Sequence, residues 1–217
     1  MDSNDTHALK LLGVASCVGV GFFIAHVLLN RSIEFWYMPW NLFLAWVPML
    51  FSSLLIVKKH WAKPAKLFLL IAWLVFLPNS FYVVTDIIHI NDQMRVNQTF
   101  DVLVLMTTIA PAFLVGLYSL WHIDRMLLSK LPQRKLALLC ISLLCGIAIY
   151  IGRELRWNSW DIVANPLLLL RDLFATMSSP ASLLQLLLVA VSFSVSIMAA
   201  YYLWTKLLLA TSRDTYH

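Results

Sequence analysis

The chain has 217 residues, 61% hydrophobic and 12% charged, with a mean hydropathy of +0.79 and a formal net charge of +5. Soluble domains are close to half apolar, so this composition excludes a water-soluble fold. Apolar runs of at least ~18 residues recur along the whole length, each long enough to cross a hydrocarbon core of about 30 Å. The expected class is all-α: a polytopic membrane helix bundle of about six transmembrane helices with a short outer interfacial or re-entrant helix, in one domain covering 1–217.

The first run, 8–29, resembles a signal peptide in length, but Asp2 and Asp5 spoil a basic leading segment and no small-residue cleavage site follows, so it reads as a retained helix. It contains Cys17. Like Cys140 and Cys145, this cysteine stands in an apolar run without metal-ligand or redox spacing, and all three read as small buried packing residues. The second helix is expected over 37–57, with Pro39 near its start. The third covers 65–89, and the fourth 100–122 with Thr99 as its cap. The fifth covers 135–156. Its purely apolar part, Leu136 to Ile151, is short for a span, so Arg153, Glu154 and Arg156 are drawn to the membrane boundary or into a cavity. Residues 165–176 open with Asn165-Pro166 and hold too few apolar residues to cross. They are expected to lie over the outer end as a partial lid, with Trp157 and Trp160 anchored at headgroup level. Pro180 starts the last helix, 181–206, at a position where a missing N–H costs nothing.

Orientation follows from Lys and Arg, which cytoplasmic loops retain. Lys58, Lys59, Lys63 and Lys66 fill one loop and Arg125, Lys130, Arg134 and Lys135 another, while Lys10, Lys206 and Arg213 flank the ends. Both termini are therefore expected in the cytoplasm, in agreement with an even helix count. The pI near 9.2 is a product of this topology. Basic residues divided among short juxtamembrane loops point to anionic lipid and exclude nucleic acid as a partner.

Three segments carry polar residues that a bilayer does not predict: Pro39-Trp40-Asn41, Leu77 to His89, and Gly152 to Asp161. The derived topology puts all three on the outer half. On an α-helical wheel Asn79, Tyr82, Asp86 and His89 share a stripe about 80° wide. A charged Asp86 facing lipid at mid-depth would cost about 2.5–3.5 kcal/mol, so the stripe should face protein or water. Pro78 removes a helical hydrogen bond and predicts a bend beside Asn79. Arg153 or Arg156 could pair with Asp86 bidentately, with Asp101 and Asp161 as further partners.

The motifs Asn41-Leu-Phe-Leu-Ala-Trp46-Val-Pro48, Pro78-Asn79-Ser-Phe-Tyr82-Val-Val-Thr85-Asp86-Ile-Ile-His89 and Gly152-Arg153-Glu-Leu-Arg156-Trp157-Asn158-Ser159-Trp160-Asp161 resemble those of a bacterial family of small integral membrane proteins. That family is catalogued as domain of unknown function 1361. The resemblance covers roughly 37–205 and implies a multi-pass protein of the bacterial cytoplasmic membrane. It implies no activity.

The resulting expectation is an outward-facing polar site built from Asn41, Asn79, Tyr82, Asp86, His89, Arg153, Glu154, Arg156, Asn158 and Asp161, binding an anionic or amphiphilic envelope component among membrane lipids. Whether the site modifies that component stays open. His89 oriented by Asp86 could act as acid or base, with Arg153 and Arg156 stabilising a phosphate or oxyanion, but no catalytic signature surrounds the hydroxyls of Ser80, Tyr82 or Ser159. Asp86 and His89 with Glu154 or Asp161 have the chemistry of metal ligands, yet His26 is the one other outer histidine, and no metal or cofactor is assigned. A small secondary transporter is the alternative. Pro78 and Pro111 would suit one, but no inverted repeat is visible and the cytoplasmic halves offer few polar residues to line a path. The remaining alternative is a structural or accessory protein whose polar cluster only locks the helices. Oligomeric state is not legible.

Overall fold

The computed structural model describes residues 3–31, 33, 35–58, 60–89 and 98–214, and their side chains except at 3, 4, 88, 89, 98, 99 and 208–214. The described residues form helices and connections, with no strand: α1 (Ser3–Asn30), α2 (Tyr37–Val57), α3 (Lys63–Tyr82), a 3-10 helix (Val83–His89), α4 (Gln98–Met126), a 3-10 turn (Leu128–Lys130), α5 (Arg134–Glu154), α6 (Asp161–Ala164), α7 (Pro166–Ser178) and α8 (Pro180–Asp214). Among the described residues six segments are long and apolar enough to cross a membrane: Asp5–Asn30, Tyr37–Val57, Lys63–Ile87, Phe100–Lys130, Arg134–Glu154 and Pro180–Leu207. Prolines stand in the first turn of α3, α7 and α8, where their fixed φ favours initiation.

The chain divides into two compact units, Met1–His122 and Ile123–His217. In the first, α1 runs antiparallel to α4 and touches it at both ends. The Tyr118 hydroxyl donates to Asp5 Oδ1 at 3.0 Å, and His26 Nε2 lies 3.1 Å from Asp101 Oδ1. Between these contacts sits Gly19. A Cβ there would come within 2.6 Å of the Thr107 carbonyl oxygen. Thr107 is four residues before Pro111, whose missing N–H leaves that carbonyl without its helical donor. Gly19 therefore leaves room for the backbone oxygen that Pro111 releases, which a side chain at this position would meet.

α2 and α3 complete this unit. Trp46 donates to Ser16 Oγ at 3.0 Å, Ser80 Oγ donates to the Ala45 carbonyl at 3.0 Å, and Gly116 lets α4 approach Ser80 and Phe81 on α3. One apolar cluster of Phe35, Met38, Leu42, Ala45, Val83, Val104, Leu105, Ile109 and Ala112 joins α2, the 3-10 helix and α4. Since lipid is as apolar as these side chains, close packing and interhelical hydrogen bonds hold the helices together.

The second unit is built on α5 and α8, with α7 packed against α8. Ser142 and Ser194 share a 2.8 Å hydrogen bond, and one turn further along Gly146 lies against the backbone of Ala190. Small residues at a four-residue spacing on both helices permit this approach.

Two expectations are corrected. Cys145 is buried, but Cys17 and Cys140 are exposed, because each lies on the apolar outer face of its helix and not on the face that packs. The third helix is not α-helical to residue 89, for its winding tightens to three residues per turn after Tyr82. The proposed cap at Thr99 lies outside the described side chains.

Gly19 provides a local test, since α1 also holds Gly13 and Gly21, at which a Cβ would meet open space. Gly19→Ala should lower stability by about 1–3 kcal/mol, the usual range for overpacking. Gly21→Ala should be neutral or slightly stabilising, through helix propensity. Thermal unfolding of both variants in one detergent checks the contrast, and equal melting points would contradict the packing argument.

Candidate functional site

The first unit holds one half of the expected site. Asn41 Nδ2 donates to Asp86 Oδ2 at 3.0 Å, so the first two motifs meet through these residues. Asp86 is buried, and Tyr37 lies within electrostatic range of both Asp86 and Tyr82. Asn79 donates to the carbonyl of Phe76, within its own helix, at 3.0 Å. The common stripe expected for Asn79, Tyr82, Asp86 and His89 is redrawn by the 3-10 winding. At about 120° per residue after Tyr82, Asp86 turns roughly 120° from Tyr82 where an α-helix would leave about 40°, and it meets Asn41. The backbone of His89 closes the 3-10 helix, while its side chain lies outside the described residues. Ser80, a possible hydroxyl nucleophile from sequence, is buried and donates to Ala45.

The second unit holds the other half. Arg153 Nε lies 3.6 Å from Glu154 Oε1 at the end of α5. Arg156 follows in a left-handed conformation, with φ of 58°. Glycine usually occupies such a position after a helix, and a side chain there costs about 1–2 kcal/mol. The following segment supplies its own counter-charges and donors. Trp157 Nε1 donates to Asp172 Oδ2 at 3.0 Å, and the Asn158 backbone N–H donates to Asp161 Oδ2 at 2.7 Å. Asp161 thus serves its own turn, and Asp101 pairs with His26 in the first unit.

The segment after Asn165 forms the helix α7, Pro166–Ser178. α7 turns Leu169, Leu173 and Thr176 inward, and exposes Leu167, Leu170, Phe174 and Met177 on the opposite side. Arg171 is exposed on the same helix. Arg156 and Arg171 have no carboxylate within ion-pair distance among the described residues. Arg171 was not among the expected site residues, although an arginine inside the run Leu-Leu-Leu-Leu-Arg-Asp-Leu-Phe is a visible signal.

Sequence reasoning missed a second polar group in the first unit. Trp73 donates to Ser119 Oγ at 2.8 Å, Ser119 Oγ donates to Ser52 Oγ at 3.3 Å, and Ser52 Oγ stands 3.4 Å from His122 Nδ1. The His122 ring packs on Tyr118, whose hydroxyl holds Asp5. All of these side chains are buried. Sequence reasoning expects few polar residues in the cytoplasmic halves, and the end of this unit that holds Asp5 carries a linked group of them. Single serines in apolar runs look like packing residues until their partners, some 70 residues away, are brought beside them. Among the described residues no three His, Cys, Asp or Glu side chains gather closely enough to hold a metal ion.

Six membrane-length helices among the described residues and many exposed large apolar side chains define a multi-pass α-helical membrane protein. Within that class, the chain belongs to the family described as a protein of unknown function, DUF1361, whose model matches residues 40–199 and so takes in all three motifs from Asn41 to Asp161. No curated protein and no solved structure matches the chain.

Proposed function

We propose that this protein lies in the bacterial cytoplasmic membrane with both termini in the cytoplasm, and that its outward-facing polar residues bind an anionic, amphiphilic component of the envelope. The Lys- and Arg-rich loops support the orientation. One observation carries the ligand class. Glu154, Asp161 and Asp172 are each engaged within the Arg153–Ser178 segment, whereas Arg156 and Arg171 are exposed without a carboxylate partner. A guanidinium takes a phosphate or carboxylate bidentately, and the exposed Leu167, Leu170, Phe174 and Met177 on α7 offer the acyl chains an apolar surface beside Arg171. Headgroup and tail are then recognised by one short helix and the turn before it.

The test separates side chain from backbone. Glycine adopts the φ of residue 156 without strain, so Arg156→Gly removes the charge while keeping the turn. Full-length protein purified from membranes should lose roughly tenfold of its bound acidic phospholipid, measured by mass spectrometry of the extract, for a charge-assisted contact worth ~1.4 kcal/mol. Arg171→Gln should act in the same direction, with melting points unchanged in both. Unaltered lipid content in both variants would refute the reading.

A further inference from the structure

The first unit buries more ionisable groups than helix fastening requires. Its buried charged side chains are Asp5, Asp86 and Asp101, accompanied by the imidazoles of His26 and His122, and no Lys or Arg is buried among the described residues. Intramembrane carboxylates and imidazoles mark ion pathways and proton relays, and a set composed of acids and imidazoles selects positive charge. These groups also stand at two levels. Asp5 and His26 are 21 residues apart on α1, which places them roughly 31 Å apart, about the thickness of a hydrocarbon core. The Asp5–Tyr118 contact with His122 thus occupies one face of the membrane and the His26–Asp101 pair the other. Between them lie the buried hydroxyls of Ser16 and Thr108.

The His26–Asp101 pair points to a ligand and not only to a clasp. Its atoms approach to 3.1 Å between Nε2 and Oδ1, yet Asp101 Oδ1 is without an aligned hydrogen bond, and so is His26 Nδ1. Both residues are more than nine-tenths buried, and Phe35 and Phe100 pack around the imidazole. Two unsatisfied polar atoms at a buried acid–imidazole pair are costly unless the site works. A clasp of hydroxyls would fasten α1 to α4 at less expense, as Ser142 and Ser194 fasten α5 to α8.

We infer that the four helices of the first unit carry a small monovalent cation, a proton or an alkali ion, across the membrane, with His26–Asp101 as the station on one side and Asp5–Tyr118 with His122 on the other. Both stations combine an oxygen ligand with a polarisable ring, and both lie on the α1–α4 pair. Movement between them is gated by the same two helices, whose close contact at Gly19 and Thr107 falls between the stations, nearer His26 and Asp101. This inference is independent of lipid binding at Arg156 and Arg171.

The experiment uses the full-length protein reconstituted into phosphatidylethanolamine–phosphatidylglycerol liposomes under an imposed membrane potential. One arm follows internal pH with a trapped dye, and two others follow radioactive sodium and rubidium. At least one ion should enter faster than into protein-free liposomes, and His26→Gln and Asp5→Asn should each reduce that flux to the protein-free level. Asp101→Asn, nearly isosteric, serves in place of His26→Gln if the latter does not elute as a folded species. Flux equal to protein-free liposomes in all three arms overturns the inference, and so does flux unchanged by the variants.

Discussion

Gly146→Val is expected to leave no stable second unit. A Cβ at Gly146 would lie 2.4 Å from the carbonyl oxygen of Ala190, 2.7 Å from its Cα and 2.9 Å from its carbonyl carbon. All three neighbours are backbone atoms, which cannot rotate away as a side-chain end would. Relief would require α5 and α8 to separate, with loss of the Ser142–Ser194 bond one turn away and of the packing around Ile149 and Ile197. Overpacking commonly costs about 1–3 kcal/mol, and a branched side chain against rigid backbone belongs at or above the upper end. Fluorescence-detected size exclusion of detergent extracts should show loss of the monodisperse peak for Gly146→Val and a weakened peak for Gly146→Ala. Gly13→Ala, with open space around it, is the control. A normal peak for Gly146→Val would mean that α5 and α8 do not pack through this face.

The contrast between Gly146 and Gly13 also explains what could be read from sequence. Both are single glycines in apolar runs, and nothing local distinguishes the one that permits helix contact from the one that faces outward. Hydropathy reports how long a segment stays apolar, which is why the six spans and the short helix Pro166–Ser178 were legible. It carries little about which face of a span meets protein, because lipid and protein interior are alike to an apolar side chain. Cys17 and Cys140 were misplaced for that reason. The contacts of the candidate polar residues were legible to the extent that they are local. The turn from Gly152 to Asp161 was readable as a unit, and its Asn158–Asp161 bond spans three residues. Tyr118 and Asp5, separated by 113 residues, have no such signature. Asp86 lies between these cases. Its need for a partner followed from the cost of a charge near the bilayer, but finding Asn41 required knowing that the helix tightens after Tyr82.

Asp124→Ala should be the most damaging polar substitution in the second unit, and its parts can be separated. Asp124 is 4% exposed and accepts from three donors: Arg134 Nε at 2.7 Å, Arg134 Nη2 at 2.5 Å and the Tyr201 hydroxyl at 2.5 Å. These contacts tie the last turn of α4 to the first turn of α5 and to α8. The guanidinium is 47% exposed, so on losing its partner it moves into solvent at little cost, as surface ion pairs do. The Tyr201 hydroxyl is buried and would be left without its acceptor, a loss of about 1–3 kcal/mol. Arg134→Met should therefore cost less than about 1 kcal/mol, and Tyr201→Phe about 1.5–3 kcal/mol, the usual range for a hydrogen bond to a charged group. Asp124→Ala should cost about 3 kcal/mol, in the range for breaking a buried charge contact. Adding Tyr201→Phe to Asp124→Ala should cost much less than the sum of the two, since the phenol no longer has an acceptor to lose. Unfolding in mixed micelles titrated with denaturing detergent measures all four variants. If Arg134→Met proves as damaging as Asp124→Ala, the exposed ion pair is the main fastener of this corner and the assignment to Tyr201 is wrong.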